Sequence, residues 1–240
     1  MSRTSKVPMG QKIAFGFGML ANQMFPAILG IFMVVLVEDL GFSGWMWSLV
    51  FLFPRIFDAI TDPLMGFISD NTRSIWGRRR QYVLLGALIM GVSFSLLWQL
   101  YLENGVSYNF TYFLIWSLVF YLGLTIFSVP YVAMGYEMSN DFHDRTNIMA
   151  VAQFIGQWAW VIAPWFWVII YDQRLFDNAP EGAKIMAIWV GGLCMILGIL
   201  PALFNKEMEV DKSKLKNLSM SELAENTTEF IKGVVLTIKN

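Results

Sequence analysis

At 240 residues, 56% hydrophobic and 15% charged, with 10 Trp, 20 Phe and a mean hydropathy of +0.53, the chain is too apolar for an ordinary soluble domain and belongs in a bilayer. Its net charge of −1 comes with no basic face for nucleic acid, because Lys and Arg are segregated into short loops. Cys194, the single cysteine, lies in an apolar run and reads as an inert core thiol.

Crossing about 30 Å of hydrocarbon takes roughly 20 apolar residues. Six stretches are that long: residues 11–37, 44–69, 82–102, 110–136, 146–171 and 184–204. The basic start MSRTSKVPMGQK precedes an apolar run too long for a signal-peptide core, so the first span is expected to be uncleaved. Of the 17 Lys and Arg, all but Arg55, Arg174 and Lys184 fall on the side that holds the N-terminus. By the positive-inside rule that side is cytoplasmic, in what is expected to be the inner membrane.

Span one carries Asn22, Gln23, Pro26 and Gly30 on one face, a polar and small side that suits either a solute path or close helix packing. Span two places Arg55, Asp58 and Asp62 at i, i+3 and i+7, one face of a helix. Against lipid each charge would cost about 2.5 to 3.5 kcal/mol, so the face must look into a polar interior. Charges so placed mark an ion or substrate path, or else a structural ion pair between Arg55 and one carboxylate, which would leave the other Asp unmatched. Pro63 frees a carbonyl near Ala59, a further oxygen beside the two acids.

On span four, Tyr121, Thr125, Ser128 and Val132 form a stripe. Its hydroxyls can join Asp58 and Asp62 around a hard cation such as sodium, or bond back to their own helix. Span five sets Gln153, Gln157, Trp160 and Pro164 on one face. Amides beside an indole suit a hydroxyl-rich ligand, the ring stacking on a sugar's C–H face; an interhelical amide bond is the other reading. Span six, with a Gly-Gly pair and no charge, reads as packing.

On the cytoplasmic side, Asp70, Arg78 and Arg79 follow span two, and Glu137, Asp141 and Arg145 follow span four. Acid and base at both positions can form a network that closes this side and breaks on opening. Beyond residue 205 the chain turns charged and polar. Ser219 with Glu222 reads as a capping box opening an amphipathic cytoplasmic helix over Leu223, Phe230, Val234 and Ile238. The only histidine, His143, has no nucleophile or metal-ligand partner at a recognisable spacing, so no enzyme signature stands out.

Arg55, Asp58, Ala59, Asp62, Pro63, Gly66, Asp70, Thr72 and the run from Gly77 to Arg80, in that order, resemble the helix-two signature of the glycoside-pentoside-hexuronide:cation symporters, a branch of the major facilitator superfamily that includes the melibiose permeases. Pro130, Tyr131, Glu137 to Ser139, Asp141, Arg145, Thr146 and Ile148 are similar to that family's pattern from span four into span five. The resemblance covers essentially the whole chain. It implies an all-α membrane protein, the N-terminal six-helix half of a twelve-helix fold: residues 1–205 as the bundle and 206–240 as the cytoplasmic middle loop, with the second half missing. It also implies alternating-access symport of a sugar, glycoside or uronide with sodium or a proton, and no cofactor. Asp58, Asp62 and Thr125 match the cation positions of the melibiose permeases, whereas Thr61 stands for an Asn and Ser128 for an Asp. At their galactoside contacts this chain has Asn22 and Gln23 for a Lys-Asp pair, Val132 for Trp and Gln153 for Arg. The expected solute face is therefore Asn22, Gln23, Arg55, Gln153, Gln157 and Trp160, with a solute other than melibiose. An uncoupled facilitator or exporter, a carrier of a lipid-like solute and, more remotely, a membrane-embedded enzyme are the rival readings.

Overall fold

The computed structural model describes residues 6–72, 74 and 76–206. They form six long helices, α1 (Met9–Glu38), α2 (Gly44–Asn71), α3 (Arg80–Leu97), α4 (Val106–Glu137), α5 (Phe142–Ile170) and α6 (Ala179–Phe204), one for each expected span. Five are long and apolar enough to cross a membrane; the exception is α2, which carries the intramembrane charges. The expected tail helix lies outside the described residues.

Polar side chains mark where helices start and stop. Asp141 caps α5 by accepting from the Asp144 amide at 2.7 Å, and Asn178 caps α6 by accepting from the Glu181 amide at 3.0 Å. At the other end of α6, Arg80 donates to the carbonyls of Ala202 and Leu203 at 2.6 and 3.1 Å, placing a cation where the helix dipole is negative. α3 ends at Leu97, earlier than the apolar pattern predicts, and a short 3-10 turn (Leu102–Asn104) leads into Val106. Asn109 donates to the Tyr101 carbonyl at 2.8 Å and holds that corner.

α1 packs along α5 and α6, α3 along α4 and α6, and α2 chiefly against α4. Phe25, Phe94 and Phe120, with ring centroids 4.9 to 5.6 Å apart, join α1, α3 and α4 at the centre. Each such pair adds about 0.5 to 1.5 kcal/mol beyond its area. Lipid offers no hydrophobic reason for helices to associate, so close approach through small residues matters more than in water. A Cβ on Gly123 would sit 2.8 Å from both the Met90 backbone nitrogen and Ile89 Cγ2, and one on Gly91 would sit 2.9 Å from the Gly191 carbonyl oxygen. Gly191 is thus the packing member of the Gly-Gly pair, while Gly192 faces open space. Gly123→Leu is expected to cost about 1 to 3 kcal/mol by forcing α3 from α4. A fall in the temperature at which the detergent-purified carrier loses its monodisperse elution peak would show it.

Candidate functional site

The acidic face of α2 meets α4. Thr125 Oγ1 donates to Asp62 Oδ1 at 2.7 Å and lies 3.4 Å from Thr61 Oγ1, which also reaches the Phe57 carbonyl at 3.1 Å. Asp62, Thr61 and Thr125 therefore form one oxygen cluster, with Thr125 itself buried. One turn earlier, Asp58 Oδ2 lies 3.6 Å from Arg55 Nη1, and Asp58 Oδ1 is buried without a hydrogen-bond partner among the described residues. A buried carboxylate oxygen lacking a donor is costly and is suited to a positive ligand. The Arg55 guanidinium also lies 5.7 Å from the Tyr121 ring centroid. Ser128, one turn along α4 from Thr125, makes no hydrogen bond to this cluster.

The amide face sits elsewhere, between α1 and α5. Gln23 is its hub: its Nε2 donates to Gln153 Oε1 at 2.8 Å, and its Oε1 accepts from Trp160 Nε1 at 2.9 Å and from Gln157 Nε2 at 3.5 Å. The interhelical amide bond and the ring-plus-amide face, set apart as alternatives by the sequence, are thus built from the same side chains. Trp160 keeps 53% of its surface exposed, and Pro26 and Gly30 continue the open side of α1. Asn22 is half-buried beside this cluster and forms no side-chain hydrogen bond among the described residues. No hydrogen bond or ion pair among the described residues links the amides to the carboxylates.

At the cytoplasmic ends, Glu137 receives Arg78 at 2.5 Å and Arg79 at 2.7 Å, and Arg79 reaches back to Asp70. The φ of +114° at Gly77, open to glycine but strained for other residues, turns the loop so that both arginines fold back between α2 and α4. Asp141 is occupied as the α5 cap, and Arg145 makes no ion pair among the described residues, so neither belongs to the Asp70, Arg78, Arg79 and Glu137 network.

Sequence reasoning missed a second ionic site. Lys12 Nζ lies 2.6 Å from Asp144 Oδ1 and 2.7 Å from Asn147 Oδ1, and the Val7 amide donates to Asp144 Oδ2 at 3.0 Å. Both charged side chains are buried, at 7% and 2% exposure. The signal available was Lys12 inside the helical pattern of α1 rather than ahead of it.

Five helices long and apolar enough to span a membrane, with a carboxylate and hydroxyl cluster where α2 meets α4, define an integral, multi-pass membrane protein of the major facilitator architecture. Residues 14–233 match the family described as MFS/sugar transport protein, and the chain belongs to it. It is 30% identical over 161 residues to the inner membrane symporter YicJ of Escherichia coli, covering 64% of this chain and 32% of that protein. The uncharacterized symporter YjmB of Bacillus subtilis is 27% identical over 204 residues, 81% of this chain and 41% of its own length. The sodium-dependent lysophosphatidylcholine symporter 1 of Xenopus tropicalis is 33% identical over 148 residues, 59% of this chain and 27% of its own. These relatives bear out the symporter resemblance of the helix-two signature. The chain spans between 27% and 41% of the length of these three relatives.

Proposed function

We propose that this chain is the N-terminal six-helix part of a secondary active transporter that couples sodium or proton entry to uptake of a sugar, glycoside or uronide. The observation that carries the reading is the Asp62, Thr125 and Thr61 cluster with Asp58 one turn away on the same α2 face. Oxygen donors around a site inside the membrane suit a small hard cation. Thr125 holds Asp62 by donating to it, and Asp58 Oδ1 offers an unused lone pair. A cation neutralising this face lowers the cost of burying it, which favours the loaded carrier's passage between outward and inward states. Solute binds on the Gln23, Gln153, Gln157 and Trp160 face, with Asn22 beside it, while Arg55, which the sequence grouped with this face, stands with the carboxylates on α2. The Asp70, Arg78, Arg79 and Glu137 network closes the cytoplasmic side. Both ends of the bundle lie in the cytoplasm, and the membrane is the inner one.

Uptake by the full-length carrier in membrane vesicles, across glycosides and uronides and with or without an imposed sodium or proton gradient, tests this. Accumulation under a cation gradient is expected, and equilibration without accumulation would sink coupling. A lipid-like solute is the second reading, favoured by likeness to a lysophosphatidylcholine symporter; competition of uptake by lysophosphatidylcholine but not by glycosides would select it. Gln23→Ala removes the hub that positions Trp160 and Gln153. It is expected to weaken apparent solute affinity roughly tenfold, as befits lost and orphaned hydrogen bonds. An unchanged concentration dependence of uptake would remove the amide face from the solute site.

A further inference from the structure

Arg55 is poorly anchored for a charge inside a membrane helix. Its guanidinium is 3.6 Å from Asp58 Oδ2, beyond hydrogen-bond reach, and no hydrogen bond from it forms among the described residues. The side chain is 68% exposed while that of Asp58 is 18% exposed. The same guanidinium already lies over the ring of buried Tyr121 on α4, 5.7 Å from its centroid, so the ring can keep it when the carboxylate is taken. Asp62, by contrast, is fixed by Thr125 at 2.7 Å. The two carboxylates of one helix face thus differ: one is tied by a neutral donor, the other faces a loosely held cation.

We propose that Arg55 is a built-in competitor of the coupling metal cation, sharing Asp58 with it and withdrawing towards Tyr121 when the metal binds. This rests on the transport reading for the identity of the ion site. A guanidinium and an alkali ion draw on the same carboxylate, and a metal between Asp58 and Asp62 repels Arg55 if it stays. The physical use is in the return half of the cycle. A carrier without cargo must reorient with its acidic face buried, and a surrogate charge at Asp58 lowers that cost. Arg55 is then a specificity-determining residue for the cation rather than a passive structural partner.

The test is calorimetric titration of sodium and lithium into the purified full-length carrier without solute, comparing wild type with R55Q, R55K and Y121L. R55Q is expected to bind sodium about three- to fivefold tighter, the range of a partly exposed charge pair, and R55K to bind as wild type does. Y121L, lacking the ring that shares the guanidinium, is expected to bind sodium more weakly. A merely structural Arg55 predicts weaker binding in R55Q, so equal or weaker affinity there overturns the proposal. If R55Q does not fold, unchanged affinity in Y121L does the same. A wild type that binds neither sodium nor lithium also overturns it, whereas gradient-driven uptake by that same carrier judges the transport reading on its own.

Discussion

Asp58→Cys and Asp62→Cys, each made in the full-length carrier, are expected to abolish cation-driven accumulation while leaving the protein in the membrane. The two acids are not equivalent in the structure, so the defects should differ in kind. Asp62 accepts from Thr125 at 2.7 Å, and its loss also frees Thr125 and Thr61. Asp58 contributes a buried oxygen that meets no donor among the described residues, and its loss also leaves Arg55 without its acidic neighbour. Intramembrane carboxylates cost several kcal/mol to keep, so removing a purely structural one would spare transport and raise stability. Vesicle uptake under an imposed gradient decides the matter: accumulation retained by both variants ends the cation assignment. Thr125→Val, which keeps shape and deletes the donor, should lower cation affinity with a smaller effect than either acid.

The second large effect concerns stability. Asp144→Ala is expected to destabilise the bundle by about 3 kcal/mol, because it leaves Lys12 buried beside α5 without its carboxylate. The carboxylate does more than pair: it also accepts from the Val7 amide at 3.0 Å. Thermal unfolding of the purified carrier should show a clear fall for the single variant. The double variant K12M with D144L removes both charges together and should recover most of the loss. A double variant as unstable as the single one would mean that the Val7 bond to the carboxylate, rather than the charge pair, holds this corner.

Which features were legible in the sequence follows from how local they are. The six helices were, since length and apolarity alone define a span. The α2 face was, because i, i+3 and i+7 spacing fixes which side chains share a side before any neighbour is known. That Thr125 rather than Ser128 meets Asp62 was not, since one turn of rotation or shift between α2 and α4 exchanges them. Gln23 was visible as a polar residue on α1, yet its place as a hub depends on α5 presenting Gln153, Gln157 and Trp160 at the same height. Asp141 followed by Asp144 is a cap spacing that a local reading contains, though counting charges assigned it to the network. Lys12 was counted towards orientation for the same reason, and its partner lies far along the chain.

The carboxylates belong to α2 and the hydroxyl that meets them to α4, whereas the amides and indole belong to α1 and α5. No hydrogen bond or ion pair among the described residues ties one group to the other. On the transport reading proposed above, the residues that face the ion and those that face the solute thus sit on different helix pairs. A carrier so built would alter its solute by changing α1 and α5 one residue at a time, without passing through an ancestor that has lost its driving ion.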